Sequence, residues 1–167
     1  MSKFKKDMIQ RIQTVFLFLL AVAMILVLIF PIWQQVNPDQ TQLMTLTAWS
    51  LTTIDVASEE VLASESKAIV IGILAIVSVA LALFSIFSYK NRGKQMMLNM
   101  FNSLAMVANV GLIVWFTHTA NADFNPNVNG AFVLGFWAIF AALVMNMLAN
   151  RFIRKDEKLV RSVDRIR

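Results

Sequence analysis

Four long apolar stretches, separated by polar segments, dominate the pattern of hydrophobic and polar positions along the chain. An α-helix rises about 1.5 Å per residue and the hydrocarbon core of a bilayer is about 30 Å thick, so about 20 apolar residues suffice to cross it. Each stretch is close to that length and contains no charged side chain. The pattern therefore predicts four membrane-spanning helices, at about residues 15–33, 68–89, 97–117 and 131–148.

The positive charges are distributed unevenly among the polar segments. Of the 15 Lys and Arg residues, all except Lys67 lie before the first span, between the second and third spans, or after the fourth. Cytoplasmic loops of membrane proteins carry the excess of Lys and Arg. We therefore expect both termini to be cytoplasmic, outer loops at residues 34–67 and 118–130, and a cytoplasmic tail at residues 149–167.

These features predict an all-α membrane protein, built as a four-helix transmembrane bundle in one integral membrane domain. Hydrophobic residues make up 58% of the chain, which leaves too little polar sequence for a separate soluble domain of ordinary size. Within the first outer loop, residues 42–54 are rich in Thr, Leu and Trp, a composition that favours one or two short strands. The tail has the pattern of a basic, amphipathic helix.

The third span is the most polar of the four. Its Asn102 and Asn109 are seven residues apart and therefore lie on nearly the same helix face. An amide that faces lipid is costly, so we expect these side chains to point into the bundle, together with Asn146 of the fourth span, as polar packing groups between helices. The alternative is a small polar cavity for a substrate or ion.

Candidate chemical groups are scarce. The chain has no cysteine, which excludes disulfides and thiol-redox chemistry, and its one histidine, His118, lies at the outer end of the third span. The acidic residues Asp55, Glu59, Glu60 and Glu65 could form a cation site, but we expect a solvated loop there. The sequence therefore predicts neither an enzyme nor a metal or cofactor site.

The net charge of +5 would suggest a nucleic-acid partner for a soluble protein, but here the charges are sorted by membrane side, so we expect none. Instead we expect the basic tail to contact anionic lipid headgroups or a membrane-protein partner. A homo-oligomer, in which the partner is a second copy of this chain, is equally compatible with the sequence. The tail residues proposed for these contacts are Arg151, Arg154, Lys155, Lys158, Arg161 and Arg165.

Four segments resemble a known family of small bacterial membrane proteins. They are MIQRIQTVFLFLLA at residues 8–21, LTAWSL at 46–51, YKNR at 89–92 and ANRFIRKDEKLVRSVDRIR at 149–167. They look like the domain of unknown function 4293 family, and the resemblance covers nearly the whole chain. It implies a four-span protein of the Gram-negative inner membrane and supplies no catalytic or binding residues.

Two functional hypotheses remain at this point. The first is a non-enzymatic accessory or scaffold subunit of the inner membrane whose basic tail contacts a partner or anionic lipid. The second is a small transporter or lipid-handling protein that uses the polar third span.

Overall fold

Four long helices account for most of the chain. The computed structural model describes the backbone of residues 3–89 and 91–164, and the side chains of residues 12–89 and 91–157. Each helix contains a segment that is long and apolar enough to cross a membrane. The helices are α1 (Lys3–Ile29), α2 (Ile69–Phe87), α3 (Arg92–Phe124) and α4 (Leu134–Asp164), and a 3-10 turn at Ser66–Ala68 leads into α2.

A five-stranded antiparallel sheet lies at one end of the helices, so the prediction of an all-α bundle is wrong. The strand order is β4-β3-β2-β1-β5, in which the first four strands form a meander and the fifth comes from the connection between α3 and α4. One or two short strands were expected in the first outer loop, but the sheet is larger. The strands are β1 (Trp33–Val36), β2 (Gln42–Leu46), β3 (Leu51–Asp55), β4 (Val61–Glu65) and β5 (Ala131–Phe132).

Two strands occupy residues that the apolar pattern assigned to membrane spans. Pro31 has no backbone N–H and disfavours helical geometry in the residue before it, so α1 ends at Ile29 and Trp33 begins β1. Ala131, the expected start of the fourth span, belongs to β5 and pairs with Gln34. Apolar residues in a strand and in a helix cannot be distinguished by hydropathy alone.

Helices α3 and α4 both extend beyond the predicted spans. The third span was expected to end near residue 117, but α3 continues to Phe124 and includes part of the expected second outer loop. Helix α4 continues without a break to Asp164, so most of the predicted tail is a continuation of the fourth helix. The apolar fourth span and the basic residues of α4 therefore belong to one continuous helix.

The bundle has a simple arrangement of neighbours. Helix α1 packs mainly against α4 and α2, and α3 packs against α2 and α4. Small side chains line the contacts, which lets the helix backbones approach closely. The small residues of α2 and its 3-10 lead-in are buried at Ala68, Gly72, Ala75, Ala82 and Ser85, and those of α4 are buried at Gly135, Ala138, Ala142 and Ala149.

The sheet is fastened to the ends of the helices by close backbone contacts. The Gly72 N–H donates to the Ala48 carbonyl at 2.9 Å, and the Gly135 N–H donates to the Pro31 carbonyl at 2.9 Å. The indole N–H of Trp49 donates to the carbonyl of Leu28 near the end of α1 at 3.0 Å. The tip of the β2–β3 hairpin therefore rests on α1 and α2, while β1 is tied to the start of α4.

Candidate functional site

A ladder of side-chain amides joins α3 to α2. Three amides on α3, spaced seven residues apart, each donate a hydrogen bond to a backbone carbonyl of α2. The acceptors are also spaced seven residues apart but run in the opposite direction, as expected for antiparallel helices that keep one heptad register. The donors are Gln95, Asn102 and Asn109, and the acceptors are the carbonyls of Ser85, Ser78 and Ile71, at 3.1, 3.2 and 3.2 Å respectively.

The position of the ladder follows from the spacing of buried residues on α3. Gln95, Asn99, Asn102, Met106 and Asn109 are buried at alternating intervals of four and three residues, which place them along one seam. A backbone carbonyl has two lone pairs, so each acceptor can keep its own helical hydrogen bond while it accepts the amide. Interhelical bonds of this kind contribute about 0.6 to 2 kcal/mol each in membrane proteins.

A second amide cluster joins α3 to α4. The Asn146 Nδ2 donates to the Asn99 carbonyl at 2.9 Å and to the Ser103 Oγ at 2.7 Å, and the Asn99 Nδ2 donates to the Asn150 Oδ1 at 3.1 Å. Asn146 therefore meets Asn99 of α3, whereas Asn102 faces α2. All three predicted packing residues, Asn102, Asn109 and Asn146, have zero exposed surface.

Several buried polar oxygens in these clusters accept no hydrogen bond from a described protein group. They matter because an acceptor in a water-poor interior is costly unless it is paired. The oxygens are the Oδ1 atoms of Asn99, Asn102, Asn109 and Asn146.

Three cavities, of about 640, 440 and 290 Å³, are lined by residues near the ends of the bundle.

A buried ion pair closes the bundle at the end away from the sheet. The Arg92 Nη2 and the Asp156 Oδ2 are 2.5 Å apart, and the Asp156 side chain is 1% exposed. A second guanidinium nitrogen, Nη1, donates to the Gln13 Oε1 at 3.0 Å and to the Gln95 Oε1 at 3.3 Å. This network connects α1, α3 and α4, and Gln95 joins it to the amide ladder.

This network is not evident from the apolar pattern, because Arg92 and Asp156 lie in the polar segments that flank the predicted spans. The missing signal was the continuation of the buried spacing beyond the apolar stretch. On α4 the intervals of four and three residues run from the span into the basic segment, and on α1 the same intervals run backwards to Gln13. The buried positions are Ala142, Asn146, Ala149, Ile153 and Asp156 on α4, and Gln13, Leu17, Leu20, Met24 and Val27 on α1.

The start of the predicted tail packs on the bundle as well. The rings of Phe152 and Phe16 stack at a centroid distance of 5.5 Å, and Ile153 is fully buried. The opposite side of the helix is exposed and forms a basic pocket, the cavity of about 640 Å³ lined by Met147, Asn150, Arg151, Arg154 and Lys155. Of the remaining predicted tail residues, Lys158 and Arg161 lie on α4 with side chains outside the described residues, and Arg165 lies outside them entirely.

The connection after α3 is tied to the sheet by another buried amide. The Gln35 Nε2 of β1 donates to the carbonyls of Asn125 and Val128 at 3.0 and 2.6 Å. In return, the Asn125 Nδ2 donates to the Val36 carbonyl at 3.1 Å. These bonds hold the chain between α3 and β5, which belongs to the predicted second outer loop, against β1.

Two of the four acidic residues considered as a cation site, Asp55 and Glu65, make local contacts in the first outer loop. The Asp55 Oδ1 accepts hydrogen bonds from the Ala57 N–H at 3.0 Å, the Ser58 N–H at 2.9 Å and the Ser58 hydroxyl at 3.0 Å. These bonds, led by that from the Ser58 backbone, hold the pKa of Asp55 below its ordinary value. Glu65 pairs with Lys67 at 3.0 Å. Within the described residues, no three His, Cys, Asp or Glu side chains are grouped to hold a metal ion.

Comparison with known proteins identifies one related family. Residues 9–166 match the family described as a domain of unknown function, number 4293. No curated protein matches the chain. The resemblance seen in the sequence is therefore confirmed over nearly the whole chain, and it assigns no role to any residue.

Proposed function

We propose that this chain, which belongs to the domain of unknown function 4293 family, acts as a non-enzymatic accessory or scaffold subunit of the bacterial inner membrane. Its four helices cross the membrane, with both termini in the cytoplasm and the sheet on the outer side. The charge distribution supports this orientation, because all Lys and Arg residues except Lys67 precede α1, lie around the α2–α3 connection or follow the apolar part of α4.

The single observation that carries the proposal is the use of the buried amides. Asn102 and Asn109 donate to backbone carbonyls of α2, and Asn146 donates to α3. Their amide N–H groups join neighbouring helices, as polar packing residues do in a membrane bundle. Partners can reach the sheet at one end of the bundle and the cytoplasmic end of α4 at the other.

The experiment is affinity purification of the tagged chain from its native membrane in mild detergent, with mass spectrometry of co-purifying proteins. A stoichiometric partner supports the accessory-subunit proposal. Deletion of residues 158–167 tests the tail, because a deletion that began at Phe152 would also remove the Phe16 and Arg92 contacts.

The expected result is that this deletion releases the partner, whereas Lys94→Gln does not. Lys94 is an exposed cation near the start of α3, so the control removes positive charge at the same end without altering the tail. Recovery of the chain alone, as a monomer or homo-oligomer, contradicts the proposal.

One observation favours the second candidate, a small transporter or lipid-handling protein. The Oδ1 atoms of Asn99, Asn102 and Asn109 are buried and accept no hydrogen bond from a described group, so they could bind a polar solute that crosses the bundle. Liposomes that contain only the purified chain provide the test, with proton, sodium and dye-labelled lipid flux as readouts. Flux that Asn109→Leu abolishes, while the variant remains assembled, would replace the scaffold proposal.

A further inference from the structure

The outward face of α4 carries a row of apolar side chains that ends in cations. Phe140, Val144 and Met147 are 39%, 45% and 65% exposed, and they follow one another at intervals of four and three residues. The next residue on this face is Arg151, four positions further on. Residues at these intervals lie above one another on a helix, so the row is continuous. We call these four residues the α4 stripe.

The basic pocket lies at the end of the stripe and has an excess of positive charge. Arg151, Arg154 and Lys155 are exposed, and none of them has an ion-pair partner among the described residues. The adjacent carboxylate of Asp156 is buried on the other side of the helix, where it pairs with Arg92. Arg151 and Lys155 are four residues apart, a spacing at which like charges repel. An anion in the pocket would relieve that repulsion.

We propose that the α4 stripe and the basic pocket bind one anionic phospholipid, with its phosphate among Arg151, Arg154 and Lys155 and one acyl chain along Met147, Val144 and Phe140. The inference rests on the proposed membrane topology, which places the pocket in the cytoplasmic headgroup layer. It adds to that proposal a defined lipid class and a defined site.

The length of the stripe agrees with this ligand. The rise from Phe140 to Arg151 is about 16 Å, which is about half of a hydrocarbon core of about 30 Å and therefore corresponds to one leaflet. When the acyl chain of a phospholipid lies beside the apolar residues, the phosphate of that lipid is at the level of the cations. Guanidinium groups bind phosphate oxygens through paired hydrogen bonds, and anionic headgroups are attracted to basic clusters at the cytoplasmic surface.

A phospholipid fits the site better than an acidic protein segment does. Met147, which lines the pocket, is also the most exposed apolar residue of the stripe, so the pocket opens directly onto an apolar surface. A soluble acidic peptide would satisfy the cations but would leave that surface uncovered. A phospholipid covers both, because its charge and its hydrocarbon are joined in the same order as the two parts of the site.

The test is electron spin resonance of the full chain in phosphatidylcholine bilayers that contain a trace of spin-labelled phosphatidylglycerol. Its association with the protein is compared with that of spin-labelled phosphatidylcholine. The wild type should prefer the anionic lipid several-fold. Arg151→Gln, Arg154→Gln and Lys155→Gln should each lower the preference by about fivefold, the effect expected from the loss of one direct hydrogen bond to the phosphate. Lys94→Gln is the matched control and should leave it unchanged.

Several outcomes would overturn the inference. These are equal association of both labelled lipids with the wild type, a loss in Lys94→Gln as large as that in Arg151→Gln, and displacement of the labelled lipid by millimolar inorganic phosphate, which would indicate a site for free phosphate. Partner capture is measured separately with the deletion of residues 158–167, which leaves the pocket intact. A chain that prefers the anionic lipid but captures no partner would retain this inference and refute the accessory-subunit proposal, and the reverse result would refute only this inference.

Discussion

The side-chain amide of Asn109 in α3 donates to the backbone carbonyl of Ile71 in α2 at 3.2 Å, and both residues are fully buried. Asn102 makes the equivalent bond to Ser78 one heptad away, about 10 Å along the helix. The two bonds share no partner and are far enough apart to act independently.

Substitution of these amides should weaken the α2–α3 contact in an additive manner. Asn102→Ala and Asn109→Ala should each lower the free energy of unfolding by about 1 kcal/mol, and the double variant by about 2 kcal/mol. Reversible unfolding in mixed detergent micelles provides the measurement. Val107→Ala, at a position on the outer face of the same helix that is 57% exposed, is the control and should have little effect. Equal losses in all three single variants would argue against the ladder.

The ion pair between Arg92 and Asp156 should be sensitive to the loss of either partner. Asp156→Ala leaves the guanidinium without its carboxylate and should destabilise the fold by about 3 kcal/mol, as for other buried pairs that lose one member. Replacement of both residues by Leu removes both charges and should recover part of that loss. The same unfolding assay measures the cycle. A Leu double variant as unstable as the sum of Arg92→Leu and Asp156→Leu, each measured alone, would mean that the residues do not interact.

The glycines at the junction between sheet and helices should not tolerate a side chain. A Cβ atom at Gly135 would lie 2.7 Å from the Pro31 carbonyl oxygen, and one at Gly72 would lie 2.8 Å from the Ala48 carbonyl oxygen. Because both neighbours are backbone atoms, the sheet must move, and Gly135→Ala should cost about 1 to 3 kcal/mol. Thermal unfolding in detergent measures the change.

Gly111→Ala is the matched control for these variants. A Cβ atom at Gly111 has open space around it and the residue lies inside α3, so alanine should stabilise the protein by up to about 1 kcal/mol. The same change from glycine to alanine should therefore raise the stability of the protein at Gly111 and lower it at Gly135. A loss of stability in Gly111→Ala equal to that in Gly135→Ala would contradict the tight junction.

The turn after β3 should depend on pH through Asp55. Its folded-state pKa lies below the ordinary value of 3.8, so the hydrogen bonds from Ser58 stabilise the turn above that pH and are lost as the pH falls through the folded-state pKa. Ser58→Ala removes the hydroxyl bond to Asp55 but keeps the leading bond from the backbone N–H, so it should raise the pKa of Asp55 only part of the way towards 3.8, as measured by carboxyl carbon NMR titration. Ser64→Ala on the exposed strand β4 is the control. An unchanged pKa in Ser58→Ala would mean that the Ser58 hydroxyl does not contribute to the shift.

The helices were predictable because helical membrane spans leave two strong signals in a sequence. Apolar length located all four helices, and the spacing of seven residues between Asn102 and Asn109 placed both side chains on one face. The partners of these amides were not predictable. They are backbone carbonyls of α2, which every residue type carries, so no side chain in α2 indicates where the bonds form.

The sheet escaped prediction for a different reason. Most residues of β2 and β3 are half-buried whichever face they lie on, and all residues of β4 are exposed, so the strands lack the strict alternation that marks a half-buried sheet. Strand β5 has only two residues, and its partner Trp33 is about a hundred positions away in the chain. Pairing over such a distance leaves no local pattern.

The pairing of β1 with β5 also constrains the order in which the protein can be assembled during synthesis. Trp33 pairs with Phe132, the Val133 N–H donates to the Ile32 carbonyl at 3.0 Å, and the Gly135 N–H donates to the Pro31 carbonyl at 2.9 Å. The exit of the first helix is thus fastened to the entry of the last. A nascent chain can form the meander β1 to β4 early. One edge of its sheet stays open until the ribosome has made residues 131–135 and they have reached β1. The sheet can therefore be complete only after the start of the last helix has been made and has taken its place beside the end of the first.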